Sequence, residues 1–370
     1  MANGYSLGIL QMQKDVSGDA TPQFKLEPYG AVASLKLAHT PGKIKNDTYD
    51  GHSKTVKVKA KVRRTSADTG TTASCAVGAK PAYVEQTVSI ANVRRDAIYL
   101  EDAWLQLLDS YATQDAGAIA DFGQAPFEMM DAIISMANGI IEGVNKDIIT
   151  LMLANMGVNR RTASAASTAL NFNLSATVNN LNEGPNKIFQ DFGVNNMKGS
   201  PIVLGGGNME AFMLQQQAKT ANASNGIDTR IQANGMDFFR DYNVGALASG
   251  GNAANTILTF EKDAVQFVEF MANRGPWFTA KKGTSIFGTI PLPMVSGNQI
   301  VPVEFDFQFK SYDCDHDESD GNGGTVTYHK GMNLILTKQF GLYTLPTTAF
   351  SASDPLYGNR GSLQYNITNS

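Results

Sequence analysis

Two hydrophobic periods run along this chain. In Lys54–Arg64, Val56, Val58, Ala60 and Val62 alternate with Lys57, Lys59, Lys61 and Arg63, and a period of two predicts a strand with unlike faces. Tyr83–Ile90 carries Val84, Val88 and Ile90 on one parity, while Thr65–Lys80 between the two runs is small and polar. The pattern predicts a long β-hairpin with a loose tip. Its apolar face is narrow, and a lone two-stranded hairpin is marginal in water, so it should lie on something else.

The second period is helical. After a short predicted helix at Asp102–Tyr111, apolar residues recur in steps of three and four from Pro126 to Met156: Met129, Met130, Ile133, Ile134, Ala137, Ile140, Ile141, Val144, Ile148, Leu151 and Met152. Pro126 suits a first helical turn and Gly157 a stop. About 31 residues at 1.5 Å each make a helix about 46 Å long, far beyond the usual mean.

The rest reads as mixed α and β. Pro201–Leu204 predicts a strand, Asn208–Ala221 a helix, Gly235–Ser249 loop, Thr256–Phe260 a strand and Asp263–Met271 a helix. Further on, Val301, Val303, Phe305, Phe307 and Phe309 alternate with polar residues. Thr325–Thr337 answers with Val326, Tyr328, Met332, Leu334 and Leu336, across an acidic, glycine-rich loop. Residues 1–38 show weak periodicity and read as an extended arm with little core of its own.

Composition and charge narrow the function. A length of 370 residues predicts two or three sub-domains of roughly 100–150 residues each. The two cysteines, Cys75 and Cys314, make no disulfide framework. Met1–Gln13 lacks the apolar run of a secretory signal, and no stretch of about 20 apolar residues is long enough to span a bilayer; the expectation is a product folded in a cytosol. The net charge of −4 is unevenly spread. Residues 1–100 hold 14 basic and 8 acidic side chains, a net of +6, and the remainder holds 16 and 26, a net of −10. Such asymmetry fits surfaces that meet between copies. Lys57, Lys59, Lys61, Arg63 and Arg64 are therefore candidate subunit-interface residues. Packaged DNA and plain solvent are the alternative neighbours of that face, although it lacks the interleaved aromatics of a stacking surface.

Chemical motifs are sparse. The chain has no Walker-type phosphate loop, no His-Glu-x-x-His, no Gly-x-Ser-x-Gly and no Cys-x-x-Cys. No catalytic residue and no cofactor is expected. Gly205-Gly206-Gly207, between a strand and a helix, has the context of a phosphate cradle but not the dinucleotide spacing, and reads better as a tight turn. Asp313, Asp315, Asp317 and Asp320 are weak candidates for a cation, since carboxylate oxygens suit Ca²⁺. As an EF-hand the loop fails, with Glu318 where glycine belongs and Gly324 where the bidentate glutamate belongs. It reads as a solvated hairpin tip.

The order of parts is arm, long hairpin, very long helix, α/β segment and returning strands. It resembles the Hong Kong 97-type major capsid fold of tailed bacteriophages. Ile257–Phe270 (ILTFEKDAVQFVEF) is similar to a segment late in the axial domain of such coats, and Lys330–Phe350 (KGMNLILTKQFGLYTLPTTAF) to their last long strand. The resemblance implies an α+β chain: N-terminal arm 1–38, extended β-hairpin loop 39–97, peripheral domain 98–198 with a spine helix at about 126–156, axial domain 199–295, and returning peripheral strands with a C-terminal tail at 296–370.

It further implies a non-enzymatic structural protein that self-assembles as pentamers and hexamers into an icosahedral shell around a phage genome. Such a chain belongs to the virion, is assembled in the host cytoplasm and lies near packaged DNA. Separate scaffolding, portal or decoration proteins are its expected partners. An encapsulin-type shell has the same fold, and an extracellular calcium-binding adhesin or carbohydrate-binding module, or an enzyme with an unrecognised site in the α/β segment, are rivals of other classes. The failed calcium loop separates two of these readings. Chelator should leave the melting temperature nearly unchanged, and a large drop restored by Ca²⁺ would favour the adhesin.

Overall fold

The computed structural model describes residues 24–38, 54–61, 83–100, 102–113, 117, 121–162, 168–172, 183–197, 199–219, 230–233, 235–249, 255–262, 264–271, 281–282, 285–296, 299–312, 316–319, 325–328, 331–345 and 361–369. Helices and sheets are mixed. The chain divides into two compact units. Unit 1 contains residues 1–28, 92–144 and 269–340; unit 2 contains 29–91, 145–268 and 341–370. One helix and one long strand run through both.

That helix, α3 (Ala125–Ala154), is 30 residues long. α1 (Gly30–Ala38) and α2 (Asp102–Thr113) precede it. The predicted apolar stripe on α3 is the buried one: Met129, Met130, Ile133, Ala137, Ile141, Val144 and Ile148 are all fully enclosed. Burying each large aliphatic side chain is worth about 1.5–3 kcal/mol, so the stripe holds the helix in place. Gly143 admits a neighbour: a Cβ there would lie 3.2 Å from Nε of Arg94.

Unit 1 is built on long antiparallel strands. Their order is β10 (Lys281–Lys282), β11 (Ser285–Ser296), β12 (Gln299–Tyr312), β15 (Gly331–Thr344) and β3 (Asn92–Leu100). The alternation Val303, Phe305, Phe307, Phe309 is buried as expected. β11 gave no strand signal in the sequence because Gly288, Pro291 and Pro293 interrupt it. It nevertheless pairs with β12 from Ser285↔Lys310 to Ser296↔Gln299. Its glycine is used by packing, since a Cβ on Gly288 would sit 2.5 Å from Cζ of Phe307. β11 thus lies beside the returning strands, although the resemblance put 199–295 in the axial domain.

The sheet of unit 2 has the order β4 (Thr168–Phe172), β16 (Ser362–Asn369), β8 (Thr256–Phe260), β5 (Ile202–Gly205), β7 (Met236–Arg240) and β6 (Arg230–Ala233). β16 runs parallel to β4 and antiparallel to β8. α4 (Glu183–Val194), α5 (Gly207–Lys219) and the short α6 (Asn243–Leu247) complete it. The core gathers Leu170, Ile188, Phe192, Val203, Phe212, Phe238, Ile257 and Tyr365. The hairpin of β1 (Thr55–Lys61) and β2 (Tyr83–Ser89) belongs to the same unit.

Several expectations need correction. The segment read as an extended arm contains α1, with Ala31, Val32, Ala33 and Leu35 buried; its capping partners lie more than 100 residues away in sequence, beyond local reading. Asp263–Met271 holds a strand, β9 (Val265–Phe270), and not a helix. Apolar residues at 264, 265, 267, 268 and 270 satisfy either period, and pairing with β15 decides. Gly235–Ser249 is not loop but carries β7 and α6. Thr325–Thr337 is two strands, β14 (Thr325–Tyr328) and the start of β15, with β13 (His316–Ser319) pairing β14 in a separate hairpin. The expected C-terminal tail ends in β16, inside a sheet.

The stripe makes Ile141 a sharp test. Ile141→Asp places an unpaired carboxylate at a fully buried position, at a cost of several kcal/mol. Soluble folded protein should be lost; a variant with near-normal yield and melting temperature would contradict the buried stripe.

Candidate subunit interface

The hairpin's two faces are distinct. Val56, Val58, Val88 and Ile90 are buried. Val58 and Val88 pack with Tyr343 from the end of β15, where burial pushes the phenol up to about 12. The close approach needs Gly341, whose missing Cβ would meet Ser89 O and Val88 Cγ1 at 2.9 Å each. The narrow apolar face thus lies on another element, as its width required. On the opposite face Lys57 is half exposed and pairs with Glu85 at 2.8 Å. Exposed pairs of this kind are worth little and are screened by salt. The ladder places Lys59 opposite Glu85 and Lys61 opposite Tyr83. Of the five candidate cations, the side chain of Lys57 alone is described; Arg63 and Arg64 lie outside the described residues.

Asp313, Asp315 and Asp320 also lie outside them, and Asp317 is placed only by its backbone, in β13. Among the described residues no group of three or more His, Cys, Asp or Glu side chains could hold a metal ion. At Gly205-Gly206-Gly207, packing accounts for the first two glycines. A Cβ on Gly205 would lie 2.7 Å from Ile257 Cγ2, and one on Gly206 would lie 2.5 Å from Tyr242 Cδ1. Gly207 takes a positive φ of 57°, open to glycine at little cost. The Tyr242 ring, itself 62% exposed, thus stands over Gly206. Its hydroxyl donates to Glu210 at 2.5 Å, and that bond holds the phenol's pKa above its ordinary value. The turn reading therefore stands.

Sequence reading missed the buried polar centres. Asp241 is almost wholly enclosed. Its Oδ2 accepts from Ala31 N at 3.0 Å and from Asn145 Nδ2 at 2.8 Å, and its Oδ1 accepts from Asn243 N at 3.0 Å. Asn145 Oδ1 accepts from Ala31 N and Val32 N at 3.1 and 3.2 Å. The first amides of α1 are thus capped by side chains from α3 and from the residue after β7. A signal existed: Asn145 occupies a stripe position, four after Ile141 and three before Ile148.

A second centre is Asp191, fully buried on α4. Arg161 grips it with two bonds, at 2.5 and 3.1 Å, and Asn159 Nδ2 and Tyr365 OH donate to Oδ2 at 2.8 and 3.0 Å. The bond to Asp191 raises the Arg161 pKa, and burial, followed by the charge of Asp191, raises that of Tyr365. In unit 1, Lys338 is fully buried. It donates to Glu304 O, pairs with Glu269, and lies 5.4 Å from the centroid of Phe305. All three buried side chains fix segments to one another.

No protein-family model matches this chain, and no curated protein does. Solved structures do. The capsid asymmetric unit of cyanophage A-1(L) is similar at a TM-score of 0.41 and 13% identity, over 95% of each chain. A structure of Mycobacterium phage Bobi is similar at 0.40 and 11% identity, over 95% of this chain and 94% of that one. The capsid asymmetric unit of cyanophage Pam1 gives 0.38 and 11%, over 85% of each. These likenesses are loose.

Asp241 gives a testable centre. Asp241→Ala strips partners from buried donors and should cost about 1–3 kcal/mol. Burial raises the Asp241 pKa above its ordinary 3.8, against its hydrogen bonds, which lower it. A carboxyl with a raised folded-state value binds its proton more tightly when folded. Its contribution therefore favours the fold at low pH and is lost as pH rises from the ordinary aspartate value through the raised one. Denaturant titrations of wild type and Asp241→Asn across that range should show wild type losing stability, relative to the variant, with rising pH. A difference that stays flat or runs the other way would contradict it.

Proposed function

We propose that this chain is a major capsid protein of a tailed bacteriophage, a structural subunit that closes with copies of itself into an icosahedral shell around the genome. The observation that carries the reading is the order and reach of the elements. A charged hairpin in unit 2 is followed by a 30-residue helix and a 14-residue strand that each run through both compact units, in the order that resembles the Hong Kong 97-type coat. In this reading unit 1, with the long strands, is the peripheral domain; the six-stranded sheet of unit 2 is the axial domain; β1 and β2 begin the extended loop. The buried polar groups support a structural role, because Asp191, Asp241 and Lys338 are each engaged by partners from other segments.

Lys57, Lys59, Lys61, Arg63 and Arg64 then serve as a subunit contact. The cations alternate with residues whose described members, Val56 and Val58, are buried, so this face can meet an acidic neighbour without disturbing the fold. Complementary charge of this kind sets register and association rate, and salt screens it. Such a chain belongs to the virion, is assembled in the host cytoplasm, and meets scaffolding, portal or decoration proteins there.

Two measurements test this. Negative-stain images and sedimentation of the purified chain, with scaffolding supplied, should show rings or closed shells with interfaces of about 2,000 Å² or more. A stable monomer at high concentration would sink the reading, and shells carrying protein cargo without nucleic acid would turn it toward an encapsulin. Lys57→Glu, Lys59→Glu and Lys61→Glu together should leave the circular dichroism unchanged and slow or stop shell formation. Normal assembly at low salt would remove the hairpin from the interface, and a misfolded monomer would make its charged face part of a core.

A further inference from the structure

The last strand of the chain is not at the edge of its sheet. β16 lies between β4 and β8, with five paired positions on each side, from Tyr365↔Thr168 to Asn369↔Phe172 and from Ser362↔Phe260 to Asn366↔Thr256. Among the described strands β4 pairs with β16 alone. The side chains of β16 also complete the core, since Leu363, Tyr365 and Ile367 are buried with Leu170, Ile188, Phe192 and Ile257. Three further hydrogen bonds hold the strand and its entry turn. Tyr365 OH reaches Asp191 at 3.0 Å, Gly157 N donates to Ser362 O at 2.9 Å, and Glu261 N donates to Gly361 O at 2.8 Å. The entry turn requires Gly361, which has a φ of 68° and a would-be Cβ 2.6 Å from that of Ala264.

Synthesis makes β4 and β8 long before β16. Until residues 362–369 arrive, both strands face an open slot with unpaired backbone groups and an incomplete core. We propose that β16 is a completion switch: unit 2 stays open, and the chain stays unable to associate, until its C-terminal strand inserts between β4 and β8. The elements that β16 orders carry exposed apolar side chains suited to a contact. Val158 follows Gly157, and Phe189 and Val194 flank Asp191 on α4; they are 36%, 38% and 42% exposed. The association half of the inference rests on the shell reading, whereas the closure half does not.

The test uses residues 1–370 held on the ribosome by a flexible extension after Ser370, short enough to keep 362–369 in the exit tunnel or long enough to release it. Limited proteolysis within 183–197 and 255–260 should cut the short-extension chain and spare the long-extension chain. Resistance with the short extension, or cutting with both, would overturn the closure. Sedimentation of a chain ending at Arg360, with and without a synthetic peptide of residues 361–370, tests association. Particles should be lost without the peptide and return with it, and particles formed without it would overturn the switch. The intact chain run alongside separates the two readings: if it yields no particles, the shell reading fails while proteolysis still reports closure.

Discussion

The carboxylate of Asp241 is the constraint around which unit 2 is assembled. Burying a carboxyl group is costly unless donors surround it, and here they come from three separate places in the sequence. α1 supplies a backbone amide, α3 supplies Asn145, and the turn after β7 supplies its own N–H. The α1 amide also gains from the arrangement, because the first amides of a helix have no partner within it. The positive end of that helix faces the carboxylate. Gly30 permits the approach, for a Cβ there would fall 2.5 Å from Arg240 O. No one of these segments can be placed without the others.

The same logic recurs at Asp191 and Lys338. A planar guanidinium meets a planar carboxylate with two bonds at Arg161–Asp191, a geometry that fixes orientation as well as distance. Tyr365 and Asn159 then tie the last strand and the turn after α3 to the same oxygen. Buried ion pairs seldom add much stability over apolar packing, and breaking one costs a great deal. Here they fix which segments meet and in what orientation.

Sequence alone settled what neighbouring residues decide. The stripe read over 126–156 is α3 at 125–154, because helical burial repeats every three or four residues and needs no distant information. The alternation at Val303–Phe309 is a strand with its phenylalanines inward, and the hairpin's apolar face is covered as its narrowness demanded. Of the cations that alternate with it, Lys57 is half exposed.

Tertiary structure decided whatever depends on a partner far along the chain. β11 carries two prolines and a glycine that argue against a strand, yet twelve paired positions along β12 enforce one. β9 fits either period, and its pairing with β15 resolves it. α1 folds because Asn145 and Asp241 cap it, and β16 is a strand because a slot between β4 and β8 awaits it. Asn145, Asp191 and Asp241 look in the sequence like ordinary polar residues. Only when distant segments fold back, across 30 positions from Arg161 to Asp191 and 96 from Asn145 to Asp241, do they acquire the partners that make them fixed points of the fold.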